Sequence, residues 1–225
     1  MRRPDLKRIF RSYGVAWAYL IGFVITEAVC SSLSPHDLNA FTVWASTSVH
    51  NLQHDPVGSL VVSAFVTQGY WLAWPFLIAL AMFGANKVLG NWRTLLVCAA
   101  GHVIGTLVSE GIVGYRVAHG SLPAADRYLI DVGPSYVVVS AIAVALLYGS
   151  WLARGAAAVD LVLLVWVGNI FGGLSQLAVS AVGHTIAITV GVILGSLLVW
   201  QLRRHPRSAE TLTDAGADTG TGYPG

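Results

Sequence analysis

Ser135 closes a Gly133-Pro134-Ser135 triplet at the edge of one long apolar run, and His184 follows Gly183 at the edge of another. A hydroxyl and an imidazole at matched ends of two apolar helices could serve as nucleophile and general base. The imidazole would take the hydroxyl proton as the oxygen attacks a carbonyl. Pro134 at a first helical position, with Gly133 or Asp131 as the preceding cap, starts a helix and puts Ser135 in its first turn. Backbone N–H groups there have no intrahelical partner and sit at the positive end of the helix dipole, so they could hold an oxyanion. His184 lies in the first turn of the last run. Gly191 and Gly195, four residues apart, would let that helix approach a neighbour closely. Alone, each residue reads as ordinary, a serine at a helix start and a buried histidine bonded to a carbonyl. Matched depth and direction make the pair a candidate.

The elements that must position them follow from composition. Of 225 residues, 55% are hydrophobic and 11% charged, against about 25% charged in soluble domains. The chain reads as an all-α polytopic membrane protein. A span needs about 20 apolar residues, and six runs qualify: Gly14 to Cys30, Tyr70 to Val88, Leu95 to Val113, Ser135 to Leu152, Ala156 to Leu174 and Ala181 to Leu202. Eleven of the thirteen Lys and Arg residues fall at the N-terminus, after the second and fourth spans, and at the C-terminus; only Arg116 and Arg127 lie elsewhere. By the positive-inside rule both termini face the cytoplasm. The first run reads as an uncleaved anchor rather than a signal peptide. Residues 1–13 form a basic cytoplasmic N-terminus, 14–202 the membrane domain and 203–225 a polar tail expected to be disordered. No basic stripe with interleaved aromatics points to nucleic acid. The Ala/Val/Gly-rich style suggests a bacterial plasma membrane. Cys30 and Cys98 fall in separate runs on opposite sides, where they would not pair.

Other polar residues compete for a role. The outer connector, 31–68, is long and without obvious structure; it has no Lys or Arg but carries Phe41 and Trp44, so it could lie in the interface. Its His50 and His54 share a helical face, yet they lack a third defined ligand, so no metal is expected. His102, between Gly101 and Gly105, suits a close helix contact and an interhelical hydrogen bond; with Glu110 further out it could also relay protons. Glu27 sits near the outer end of its span, within reach of interfacial water. Asp160 reads as an interface-level charge near Arg154, and Gly168 and Gly172 as packing glycines.

From about Val61 to Leu202 the chain resembles the rhomboids, a family of intramembrane serine proteases. The resemblance rests on Ser63-Ala64-Phe65, on Phe83-Gly84 with Leu89-Gly90-Asn91-Trp92-Arg93, on Gly133-Pro134-Ser135 as a form of Gly-x-Ser-Gly, and on His184 with Gly191 and Gly195. It implies a six-helix rhomboid-like bundle, Ser135 as nucleophile, His184 as general base and the Ser135 N–H as oxyanion donor. No cofactor or metal is implied, and the long outer loop would correspond to the family's membrane-dipping loop. The implied activity is cleavage of transmembrane segments of other membrane proteins. The chain also departs from the pattern. Leu72 and Phe76 stand where active members carry His-x-x-x-Asn, Tyr136 replaces the last glycine of the nucleophile motif, and Ala187 replaces a glycine after the histidine. Losing one oxyanion donor costs about 10²–10³ in rate. The chief rival is therefore an inactive relative that binds client transmembrane helices, with a small transporter third.

Overall fold

The structure, a computed structural model, describes residues 10–69 and 71–204. Most of the expected disordered tail and of the basic N-terminus lies outside these residues, but Arg203 and Arg204, expected in the tail, close the last helix. The described residues are helical, with no strand. Nine α-helices follow in order: α1 Gly14–Cys30, α2 Pro35–Ala45, α3 Val49–His54, α4 Pro56–Ser63, α5 Trp74–Leu89, α6 Asn91–Ala118, α7 Ser135–Tyr148, α8 Trp151–Trp166 and α9 Val179–Arg204. By length and hydropathy, Trp71–Leu89, Asn91–Ala118 and Val179–Arg204 can each cross a membrane, and Gly14–Cys30 and Ser135–Tyr148 are shorter apolar helices.

Helix α7 is the hub. Tyr136 through Ala145 are all buried, so the helix is covered on every side, as an evenly apolar sequence requires. Helices α5, α6, α8 and α9 surround it, and α1 leans on α5 and α6. Contacts with α9 and α6 are made through glycines. A Cβ on Gly191 would come within 2.7 Å of the Ser140 carbonyl oxygen, and one on Gly105 within 2.9 Å of the Gly183 carbonyl oxygen. A Cβ on Gly195 would meet Val144 Cγ2 at 2.7 Å, and one on Gly101 would strike the Ser140 hydroxyl. That hydroxyl donates within α7 to Tyr136 O at 2.8 Å and reaches the Ala187 carbonyl of α9 at 3.1 Å.

Several boundaries and environments differ from the sequence expectations. The connector 31–68 is not structureless: it holds α2, α3 and α4, each opened by a side-chain cap from Ser34, Ser48 or Asp55. The break between the fourth and fifth apolar runs falls at Gly149-Ser150, not Arg154-Gly155, because Ser150 Oγ accepts from Ala153 N and starts α8 there. Helix α8 therefore ends at Trp166, and Gly168 and Gly172 lie in the following turns, next to Leu164 and Asn169 of their own segment. They are not helix-packing glycines. Glu27 is 4% exposed and accepts from the Thr67 backbone N–H at 2.6 Å, tying the approach to α5 onto α1 instead of reaching water. Asp160 is fully buried, and neither carboxylate oxygen has a hydrogen-bond partner. It is not an interface charge paired with Arg154, whose guanidinium donates to Leu147 O at 2.8 Å. Cys30 and Cys98 are both buried free thiols.

At the opposite end from the outer helices, two asparagines cap α1 from outside it. Asn86 Oδ1 accepts from Ala16 N at 3.3 Å, and Asn91 Oδ1 from Val15 N at 3.2 Å. The first N–H groups of a helix have no partner of their own, and here the α5–α6 turn supplies them.

The glycine contacts predict an asymmetry. Gly105→Ala and Gly191→Ala should each lower stability in detergent by about 1–3 kcal/mol, because the new methyl meets backbone rather than a flexible side chain. Gly111→Ala, facing open space on α6, should be neutral or stabilise by up to about 1 kcal/mol. Thermal unfolding followed by circular dichroism checks both; equal effects at all three positions would contradict the packing argument.

Candidate functional site

Helix α7 begins at Ser135, with Pro134 in the cap position (φ −71°, ψ −4°), one residue earlier than the expected first-turn place for the proline. Gly133 precedes it at φ +153°, a conformation that side-chain-bearing residues avoid, and its N–H donates to the Ser63 carbonyl at 2.9 Å. That bond fastens the α7 entry to the end of α4. Ser135 is partly buried and lines a small polar cavity of about 10 Å³ with Thr47, Ser63, His102, Asp131, Gly133 and Tyr136. This is barely the room that one water needs.

His184 is 3% exposed, in the second turn of α9. Its Nδ1 lies 3.0 Å from the Ile170 carbonyl and 3.3 Å from Ser180 Oγ. A carbonyl can only accept, so Nδ1 carries the proton and Nε2 the lone pair. Nε2 is buried with no hydrogen-bond partner. Ser135 and His184 are thus not hydrogen-bonded to one another. What lies against the imidazole is Tyr136, whose ring stands edge-on to it with centroids 4.9 Å apart. The end of the Tyr136 ring packs on Gly183, where a Cβ would collide with the phenol oxygen.

Tyr136 and Asp131 emerge as the organising pair; the sequence alone marks them only as the residue in place of a motif glycine and as a candidate cap. Tyr136 Oη donates to Asp131 Oδ2 at 3.1 Å, with the Val179 carbonyl at 3.3 Å as a second acceptor. The Asp131 backbone is gripped by the α2–α3 junction: its N–H donates to Ser46 Oγ at 2.9 Å, and its carbonyl accepts from Thr47 N and Oγ1, each at 3.0 Å. The signal available beforehand was an aspartate four residues ahead of the serine and five ahead of the tyrosine, a spacing that lets a loop carboxylate fold back onto the first helical turn.

His102 completes the constellation from α6. Its Nε2 donates to the Leu60 carbonyl at 2.9 Å, with Ser63 Oγ at 3.4 Å, so it anchors α4; its Nδ1 is buried without a partner. One and two turns outward on the same helix, Thr106 and Glu110 are buried with unpartnered side-chain oxygens. His50 and His54 lie apart from this cluster. Their rings stack at 4.2 Å, and His54 Nδ1 donates to the His50 carbonyl at 2.7 Å. His102 also borders a second, larger cavity of about 430 Å³, walled by Val15 and Tyr19 of α1, Leu60 of α4, Met82 of α5 and Leu95 of α6. Ala18, Val61, Leu95 and Ala99 at its margin are exposed on the outside of the bundle. Leu72 and Phe76 line neither cavity; Phe76 is 74% exposed.

The family model of the rhomboid-like proteins matches residues 9–213, most of the chain. The chain belongs to the rhomboid-like protein family. No curated protein and no solved structure matches it. Membership makes this a rhomboid-type membrane protein that sits in a lipid bilayer. In this member Tyr136 stands beside His184.

Asp131 makes the site sensitive to pH. Burial pushes its carboxyl up from 3.8 to about 6, and the hydrogen bonds from Tyr136 and Thr47 oppose the shift without cancelling it. The other ionisable groups facing it are Tyr136 and, from α6, Glu110. Between pH 3.8 and about 6 the folded chain holds more of this proton than the unfolded chain. Stability contributed by this group is therefore present below that window and lost as pH rises through it, by an amount on the order of 1–3 kcal/mol. Thermal unfolding of wild type and Asp131→Asn across the window should show a downward slope in wild type that the variant flattens.

Proposed function

We propose that this rhomboid-like protein holds the transmembrane helix of a client protein in the bilayer without cutting it. The observation that carries this reading is the place of Tyr136. Its ring lies against His184 and its hydroxyl is tied to Asp131, while the small cavity that it shares with Ser135 cannot admit a peptide group. The apolar cavity beside α1, α4 and α6 is the receptor for client side chains, and its margin lies on the outer face of the bundle where a client helix can lie alongside. The membrane domain is read as six spans with both termini in the cytoplasm. Lys87, Arg154 and Arg203 lie at the bundle end formed by the close of α5 and α9 and the start of α8, and this supports that orientation. A bacterial plasma membrane fits the composition.

Proteolysis is the second reading, and one observation favours it. The Ile170 carbonyl fixes the His184 tautomer with the Nε2 lone pair free, as a general base needs. In this reading a substrate displaces Tyr136, Ser135 attacks the carbonyl, and His184 takes the hydroxyl proton and returns it to the leaving amine.

A labelled transmembrane peptide reconstituted with the full chain in liposomes separates the two. Energy transfer should report binding to wild type and to Ser135→Ala alike, and Ala99→Trp, which fills the cavity margin, should weaken it at least roughly tenfold. A serine-directed fluorophosphonate should leave wild type unlabelled. Labelling that disappears in both Ser135→Ala and His184→Ala would replace the binding reading with the proteolytic one.

A further inference from the structure

We propose that the basic end of the bundle carries a binding site for one anionic phospholipid, at the seam between the end of α5, the α7–α8 turn and the end of α9. Two neighbouring cavities meet there. The first, about 360 Å³, is bordered by Lys87, Ser150 and Arg203. The second, about 640 Å³, runs along the outer face of α9 past Val192, Ile193 and Leu197. They share Tyr148, Val199 and Arg203, so a charged compartment opens directly into an apolar groove. That is the shape of a phospholipid: phosphate beside the two cations and an acyl chain along the helix.

The chemistry selects an anionic head. Lys87 and Arg203 are exposed, and among the described residues neither has a carboxylate within 4.0 Å. The hydroxyls are already assigned. Tyr148 Oη donates to Ser196 Oγ at 2.7 Å, and Ser150 Oγ caps α8, which leaves its own proton free to donate. The Trp200 ring carries the Arg204 guanidinium 3.8 Å from its centroid, which leaves Arg203 as the cation facing the groove. The depth is also right. Trp92, Trp151 and Trp200, at the same end of α6, α8 and α9, are each at least half exposed, as aromatic side chains at the headgroup level are. Basic pockets between spanning helices on the cytoplasmic side suit anionic heads, and each Lys or Arg near the surface strengthens such binding roughly fivefold. The inference rests on the chain sitting in a bilayer with this end on the cytoplasmic side, as proposed above, and not on which reading of Ser135 holds.

Native mass spectrometry of the full chain in detergent, titrated with phosphatidylglycerol or phosphatidylcholine of the same acyl chains, tests this. Wild type should retain one phosphatidylglycerol at concentrations roughly tenfold or more below those needed for phosphatidylcholine. The double variant Lys87→Gln with Arg203→Gln should lose that preference. The charge-preserving exchange Lys87→Arg with Arg203→Lys, and the distant pair Arg116→Gln with Arg127→Gln, should keep it. Equal retention of both lipids by wild type, or a preference that survives the double neutralisation, overturns the proposal. So does displacement of the lipid by inorganic phosphate at the same concentration, since the apolar groove would then contribute nothing.

Discussion

The close approach of α9 to α7 is the constraint on which the rest depends. Side chains at Gly183, Gly191 and Gly195 would keep the two backbones apart. With glycine there, the Ser140 hydroxyl can reach across to the Ala187 carbonyl, and the end of the Tyr136 ring fits over Gly183. Between helices in lipid the hydrophobic effect gives no net pull, so such packing and such hydrogen bonds must supply the association. The same approach decides the candidate site. Tyr136 follows Ser135 by one residue, about 100° around the helix, so the side chain that α7 turns towards His184 is the tyrosine, and the serine turns towards α4 and His102.

The outer helices are held by polar groups rather than by area. The carbonyl of Leu60 meets His102, that of Ser63 meets the Gly133 N–H, and Ser46 and Thr47 meet Asp131. On the far side Glu27 takes the Thr67 N–H. Each bond satisfies a group that would cost several kcal/mol if left alone in hydrocarbon. Together they make the connector a fixed roof over α6 and α7. Against this background Glu110 and Asp160 stand out, because their carboxylate oxygens are buried without partners. Glu110 lies one turn beyond Thr106 on the face that also bears His102, so α6 presents a continuous polar edge inside the bundle. Asp160 sits alone on α8.

Much of this was legible beforehand, and the failures have physical causes. Gly14 to Cys30 was read to the residue, since apolar length and a basic flank determine such a helix. The break before α8 was misplaced because Arg154-Gly155 looks like a stop, whereas Ser150, an unremarkable residue in the sequence, makes the cap that matters. The connector looked unstructured because its helices are six to eleven residues long, too short for periodicity to stand out and stabilised by caps and by tertiary bonds to Asp131. A lone carboxylate in an apolar run is costly, so the sequence alone points Glu27 towards water. Its partner is a backbone N–H forty residues away, which no local pattern announces. The glycine spacings marked a close crossing, but spacing cannot say which side chain the crossing will admit, and that side chain is Tyr136.

Tyr136 and the residues Leu72 and Phe76 bear on the proteolytic reading from different sides. Stabilising an oxyanion needs donors aimed at an open position about 3 Å away. Here the tyrosine fills space beside the histidine, so the opening is reduced. Phe76 faces outward from the bundle and Leu72 lies in the short turn before α5, so donors from that side are withdrawn and not merely replaced in kind. Had the phenylalanine turned inward, one could argue that it shapes a substrate pocket at the expense of one hydrogen bond. Turned outward, it contributes to neither cavity. His184 fastens the turns after α8 through the Ile170 carbonyl, a use that needs no catalytic step, whereas Ser135 is the first residue of α7 and makes no side-chain cap bond.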